Sequence, residues 1–210
     1  MALTKTMRNF YERNILPSMI DVMCGMPMFE RHRQRLVPQA SGRVLEIGIG
    51  TGRNIAHYRP EQIQCLCAVD PGLHRKARRR ARKRGMEILE VPLTAEKIPV
   101  ADASFDCVVC TFSLCTISDP NAALSEMRRL LAPGGRMLFA EHGSAPEAWV
   151  RRWQEGITPY WKLIGGGCHL NRNIPALIER SGFRIEGLKA GYERGPRVLS
   201  YLYSGTAVPR

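Results

Sequence analysis

His142, His169 and Arg172 are the side chains of this sequence best suited to take a proton and to favour the anion left behind. They lie in two polar segments. One is Phe139-Ala140-Glu141-His142; the other, Gly165 to Arg172, runs Gly-Gly-Gly-Cys-His-Leu-Asn-Arg. A histidine at either place can deprotonate a thiol, which reacts as its thiolate, or keep an amine lone pair free. Glu141, Cys168 and Asn171 share these segments and are expected to contact the acceptor of that chemistry. Loop hydrogen bonding accounts for the same residues equally well. Cys168, His169 and His142 also raise the question of a metal. The Cys and His are adjacent, however, and no further pair is spaced to complete a ligand set, so no metal is expected.

A turn of glycines carries the other half of the chemistry. Val44-Leu45-Glu46-Ile47 is a short apolar strand, and Gly48, Gly50 and Gly52 follow at alternate positions. Such a turn lets the backbone bend sharply and lie against a ligand. Asp70 closes the next apolar run, Gln64 to Val69, where a carboxylate can accept hydrogen bonds from both hydroxyls of a ribose. Together these features predict an adenosine-containing cofactor. The spacing is G-x-G-x-G, not the G-x-G-x-x-G that frees a helix N-terminus for a pyrophosphate. Glu46 would turn a negative charge toward the site, which repels a pyrophosphate and suits an amine and a sulfonium.

These residues resemble the first motif of the class I S-adenosylmethionine-dependent methyltransferases, and the resemblance covers residues 40–142. It implies S-adenosylmethionine as cofactor and S-adenosylhomocysteine as product, held by Glu46, Gly48, Gly50, Gly52, Asp70 and Pro71. Thr94-Ala95-Glu96 matches the loop that runs under the adenine, where the family usually has Asp in place of Thr94. Ser104 to Thr111 resembles the family's fourth strand, with Thr111 placed among the cofactor residues; Leu130 to Arg136 resembles its helix end and Pro-Gly-Gly turn. A narrower likeness is to the methyltransferase-like seven group, animal thiol S-methyltransferases associated with membranes. Cys110-Thr111-Phe112-Ser113-Leu114-Cys115, Phe139 to His142, Trp161 and Gly167 to Arg172 carry it. It implies a small-molecule thiol as acceptor. That group has a longer apolar N-terminal anchor than the sequence here. Small bacterial phosphatidylethanolamine N-methyltransferases are similar in length and basic surface, which leaves phospholipid N-methylation as the alternative. Their fifth strand usually ends in Asn-His, where Glu141-His142 stands here.

For these residues to meet, strands and helices must alternate. From residue 43 they do, which predicts an α/β fold: a Rossmann-like, seven-stranded, mostly parallel sheet with helices on both faces. Strands are expected at 43–47, 64–69, 87–91, 105–111 and 136–141, with a reversed closing hairpin near 183–190 and 197–204. Helices are expected at 120–131, 147–156, 159–164 and 173–181. Ligands in such sheets bind beyond the carboxyl ends of the strands. Residues 1–40 read as a helical cap on a single unit, 41–210, with helices at 5–14, 18–24 and 28–36. In the family, helices at this end cover the cofactor and add to the substrate pocket, which puts Tyr11 among the substrate residues.

The 210 residues, 44% of them apolar, suit one domain with a full core. No apolar stretch approaches the roughly 20 residues of a transmembrane helix, and the N-terminus has no secretory apolar run. A cytoplasmic protein is expected, with peripheral contact at the inner membrane face as a further expectation. Seven cysteines fit a reducing compartment, and Cys65, Cys67, Cys107 and Cys110 read as small buried apolar residues. Residues 75–84 hold eight cations and no anion in a chain of net charge +12. Leu73, Ala77 and Ala81 give this stretch a thin inner stripe of helical spacing. Its other faces suit solvent or, together with the N-terminal helices, an anionic membrane surface. Nucleic acid is the weaker partner, since neither an appended RNA-binding domain nor an Asn-Pro-Pro-Tyr-like motif is present.

Overall fold

The computed structural model describes residues 16–70, 74–91 and 94–210. Five strands run parallel: β1 (Gly42–Ile47), β2 (Ile63–Val69), β3 (Ile88–Val91), β4 (Phe105–Thr111) and β5 (Leu131–His142). They are joined by β6 (Phe183–Tyr192) and β7 (Tyr201–Pro209), and β7 runs antiparallel to both β5 and β6. The sheet order is β3-β2-β1-β4-β5-β7-β6. The chain therefore reverses its direction of travel across the sheet between β1 and β4, and such a switch point opens a crevice at the strands' carboxyl ends.

Both faces of the sheet are covered, which is why β4 carries an unbroken apolar run. Cys107, Val108, Val109 and Cys110 are all buried. Phe105, Val108, Phe139 and Phe183 pack on one face with Leu124, Met127 and Leu130 of helix α4 (Pro120–Leu130). Val44, Leu66, Val109 and Leu138 pack on the other, against Tyr58 and Val37. In this numbering the helices before α4 are α1 (Leu16–Cys24), α2 (Pro27–Leu36) and α3 (Arg75–Lys83). Those after it are α5 (Ala148–Ile164), α6 (Ile174–Arg180) and α7 (Arg197–Ser200). Asp119 starts α4 by accepting the backbone N–H groups of Asn121 and Ala122, each at 3.0 Å, with Pro120 in the first turn where its missing N–H costs nothing. All the cysteines in the described residues are reduced; Cys107 and Cys110 are buried and Cys65 and Cys67 half-buried.

Several boundaries differ from the sequence expectation. The helices expected at 147–156 and 159–164 are one, α5, with Pro159 inside it. Its buried edge of Val150, Gln154 and Thr158 is continuous, and packing along that edge outweighs the lost N–H. The last strand begins at Tyr201, because Pro196 opens the short turn of α7 where the strand was expected to start. β5 begins early: Leu131 pairs with Phe105, the Pro-Gly-Gly turn bulges out, and pairing resumes at Arg136 with Cys107. The expected helix at 5–14, with Tyr11, and Pro71 and Leu73 lie outside the described residues.

The basic helix is partly internal. Ala77 and Ala81 are buried as the stripe predicts. Lys76 and Arg80 reach Asp21 of α1, Arg78 pairs with Glu90, and Arg84 donates to the Tyr58 carbonyl at 2.7 Å. Arg75, Arg79, Arg82 and Lys83 face solvent. Among the described residues, no helix is long and apolar enough to cross a membrane.

Candidate active site

A cavity of about 480 Å³ opens where the switch point predicts, beyond the ends of β1, β2, β4 and β5 and under α1 and α2. Its first end is main chain. Gly48 and Gly50 line it with φ of +69° and +51°, a region that favours glycine. Gly48 N–H donates to the Val69 carbonyl at 2.9 Å, and Gly50 N–H donates to Asp70 Oδ2 at 2.9 Å. The glycines differ in what they exclude. A Cβ at Gly48 would lie 2.3 Å from Ser113 Oγ, and one at Gly52 would lie 2.8 Å from Ala77 Cα in α3. Gly52 is thus a packing requirement and does not line the cavity. A Cβ at Gly50 would meet nothing closer than 4.0 Å, so this is the glycine that keeps space for a ligand. Thr94, Ala95 and Glu96 line the same end.

Glu46 and Thr111 line an adjoining smaller cavity of about 300 Å³. Glu46 is buried and both its oxygens are engaged: Tyr58 O–H donates at 2.8 Å and Asn54 Nδ2 at 3.0 Å. Burial pushes its carboxyl up to about 7, against those two hydrogen bonds. Asn54 Nδ2 also donates to Thr111 Oγ1 at 3.0 Å. Glu46, Tyr58, Asn54 and Thr111 thus form one hydrogen-bonded cluster, which occupies both carboxylate oxygens of Glu46 in place of the expected bare charge toward the site.

The other end of the cavity is made of side chains. The His142 ring stands edge-on to Phe29 and Phe112, with centroids 5.1 and 5.9 Å away. Phe112 has φ of +56°, an outlier for a bulky residue, held by its N–H bond to the Ala140 carbonyl at 2.7 Å. The Arg33 guanidinium, buried in α2, lies 4.8 Å from the Phe112 ring centroid. Cys168 Sγ is 3.9 Å from His142 Nδ1. The Cys115 thiol, then His142 and the Trp161 indole, hold the Cys168 thiol below its ordinary range. Cys115 is pushed well up by its tie to Cys168 and by burial.

Not every expected residue reaches the cavity. Glu141 is fully buried and accepts the backbone N–H groups of Ser113, Leu114 and Cys115 at 2.9, 3.0 and 3.2 Å. Burial pushes its carboxyl up to about 7 despite those bonds. It shapes the loop after β4 and does not line the cavity. Arg172 donates to the Leu114 carbonyl on the same loop. His169 donates its backbone N–H to the Cys115 carbonyl at 2.7 Å, and burial lowers its imidazole pKa. Neither His169, Arg172 nor the exposed Asn171 lines the cavity. The three were expected there as members, with Cys168, of one dense polar loop after the glycines, but of the four only Cys168 reaches the cavity. Phe29, Phe112 and Cys115 line the cavity without having been singled out as site residues. The left-handed Phe112 has no sequence signal, and Cys115 meets Cys168 only in the folded chain.

Helices α1 and α2 are each tied to the rest of the chain by charged side chains. Partial burial of Asp21 is overcome by hydrogen bonds from Thr51 and Lys76 and by the charges of Arg53 and Arg80, which hold its carboxyl well below the usual range. His32 of α2 meets Glu193, beyond β6, at 3.2 Å, and Arg31 meets it at 2.5 Å. Ile20, Met23 and Cys24 of α1 thereby stay over the cavity.

A methyltransferase domain family matches residues 27–188. The chain belongs to the S-adenosylmethionine-dependent methyltransferases. Human thiol S-methyltransferase TMT1B is 37% identical over 175 residues, 79% of this chain and 69% of that protein. Human thiol S-methyltransferase TMT1A is 32% identical over 161 residues, 74% of this chain and 66% of that protein. Among solved structures, the 1,6-didemethyltoxoflavin-N1-methyltransferase of Burkholderia thailandensis, with bound S-adenosylhomocysteine, aligns over 100% of this chain and 91% of its own. The TM-score is 0.66 and the identity 18%, which speaks for the fold. A Thermotoga maritima methyltransferase, described as a possible histamine N-methyltransferase, aligns over 96% of this chain and 99% of its own. Its TM-score is 0.65 and its identity 21%. These relatives lend no support to the phospholipid alternative. The first end of the cavity suits the methyltransferase's cofactor: Gly50 leaves room, and Asp70 sets a carboxylate at the strand end where a ribose would lie.

Proposed function

We propose that this methyltransferase transfers the methyl group to the sulfur of a small-molecule thiol. The 32–37% identity to two human thiol S-methyltransferases supports the acceptor class. The observation that carries the reading is His142, an imidazole set among aromatic rings at the end of the cavity opposite the glycine turn. S-adenosylmethionine, when bound, supplies a methyl group already activated on a sulfonium. Gly48, Gly50, Asp70 and Thr94 to Glu96 would hold it, with Glu46 and Thr111 behind them. The chain's own task is then alignment and one proton. His142 takes the thiol proton as the new sulfur–carbon bond forms and the sulfonium carbon–sulfur bond breaks. Phe29 and Phe112 exclude water and pack against the acceptor. Glu141, His169 and Arg172 act at one remove, by holding residues 113–115 in place. Arg75, Arg79, Arg82 and Lys83 supply the face for peripheral contact with an anionic membrane surface.

Incubating the protein with methyl-labelled S-adenosylmethionine and either a simple alkyl thiol or vesicles containing phosphatidylethanolamine tests the acceptor. Label in the thiol is expected. Label in the lipid alone, or in neither while cofactor still binds, would overturn the assignment.

A further inference from the structure

The geometry points to a second use of the acceptor end: Cys115, His142 and Cys168 form a three-ligand site for a thiophilic divalent cation, zinc foremost, with a fourth position open to the cavity. The two Sγ atoms and a ring nitrogen of His142 all lie within 4.8 Å of one another. Cys168 Sγ and His142 Nδ1 are 3.9 Å apart. Sulfur and nitrogen ligands sharing one tetrahedral zinc stand about 3.5 Å apart, so the cluster closes on an ion with movements of about an ångström or less. It is the one such grouping of His, Cys, Asp and Glu found among the described residues. The three residues come from the loop after β4, the end of β5 and the loop after α5, so the fold and not a local motif assembles them.

The chemistry of the donors narrows the ligand. Two sulfurs and an imidazole select zinc or a similarly soft cation and reject magnesium and calcium, which need oxygen. Two thiolates and one neutral imidazole balance a divalent charge, as a buried site requires. A Cys2His set leaves one tetrahedral position vacant, the pattern of reactive rather than purely structural zinc. All three residues line the cavity, so the vacancy faces the acceptor space.

The supports a metal site needs are also present. Cys115 is clamped at both ends of its backbone: its N–H donates to Glu141 Oε2 at 3.2 Å, and its carbonyl accepts from His169 at 2.7 Å. Cys168 N–H donates to the Gly165 carbonyl at 3.2 Å. Phe29 and Phe112 fix the His142 ring. Glu141 and His169, which do not touch the cavity, thereby gain a purpose.

Resting here on the thiol reading, the open position is where the acceptor sulfur would bind. Its proton would leave to solvent on coordination, with His142 holding the cation as a ligand. When bound, the cation would supply the acidity that frees the thiolate; without it, the imidazole takes the proton as above.

The test is cobalt titration of the full chain, first reduced and stripped with chelator. One equivalent should produce a near-ultraviolet thiolate-to-cobalt charge-transfer band, and zinc should displace it. Cys115→Ser and Cys168→Ser should each lose the band, while Cys65→Ser on β2 keeps it. Calorimetric binding of S-adenosylhomocysteine reports whether each variant is folded. A readout free of variants is maleimide labelling of the wild type followed by mass spectrometry. Zinc should protect Cys115 and Cys168 and leave Cys65 unprotected. No band in the wild type, or a band that survives in Cys168→Ser, overturns the site. Thiol methylation without a cobalt band removes the cation and leaves the acceptor assignment standing. A band without thiol methylation does the reverse.

Discussion

The glycine end of the cavity and the histidine end are built from different materials. At the first, backbone conformation does the positioning: two left-handed glycines, one N–H bound to Asp70, and a loop at 94–96. At the second, side chains from α2, the loop after β4, the end of β5 and the loop after α5 converge. Backbone geometry of this kind suits a constant ligand, and side chains suit one that differs from enzyme to enzyme. Damage at the glycine end should therefore abolish cofactor binding, whereas damage at the histidine end should separate turnover from binding.

Gly50→Val should produce the largest effect. Its side chain fits the backbone poorly and enters the space kept for the cofactor, so S-adenosylhomocysteine binding by calorimetry should vanish while circular dichroism stays native. Retained binding would break the contrast at its first end. His142→Ala should slow turnover by about a hundredfold, since the imidazole is needed for thiol deprotonation whether it takes the proton itself or holds the cation that does so, with cofactor affinity within about twofold of wild type. Weakened cofactor binding with normal turnover at saturation would reverse the assignment of the two ends. Asp70→Ala should raise the cofactor dissociation constant by about tenfold or more, roughly 1.4 kcal/mol of lost hydrogen bonding. An unchanged constant would take Asp70 out of the site.

Smaller effects sharpen the comparison. The Glu46 carboxyl is raised from 4.5 to about 7, so its contribution to stability is fully present below pH 4.5 and is lost as pH rises through 7. Glu46→Gln removes that loss. The melting temperature of the variant relative to wild type should therefore rise between pH 5 and 8, and parallel curves would refute the shift. The smallest change is expected at the α3 surface. Reversing Arg75, Arg79 and Lys83 to Glu should leave cofactor affinity within about twofold, since solvent screens these charges. Pelleting with anionic liposomes should fall, and pelleting that is unaffected would remove the membrane role from this face.

Much of the molecule was legible because its signals are local. Alternating apolar strands and helices announced the parallel sheet, the glycine spacing announced the turn, and Asp70 announced a carboxylate at the end of β2 beside that turn. The Ala77 and Ala81 stripe told which face of α3 turns inward. Where local signals misled, packing had overridden them. Pro159 did not break α5, because the helix's buried edge runs through it. His169 and Arg172 read as catalytic and Asn171 as substrate-binding because they share a polar loop with Cys168, yet of these four only Cys168 lines the cavity.

The sequence by itself determined the class of fold, the cofactor and the end of the sheet where the cavity opens, because backbone conformation and strand periodicity depend on near neighbours. Only the tertiary structure decided that Glu141 is a buried brace, that Arg33 and Phe112 form one wall, and that Cys115, His142 and Cys168 meet. Those contacts join residues distant in the chain, and no spacing rule relates such residues before the sheet has set their strands side by side.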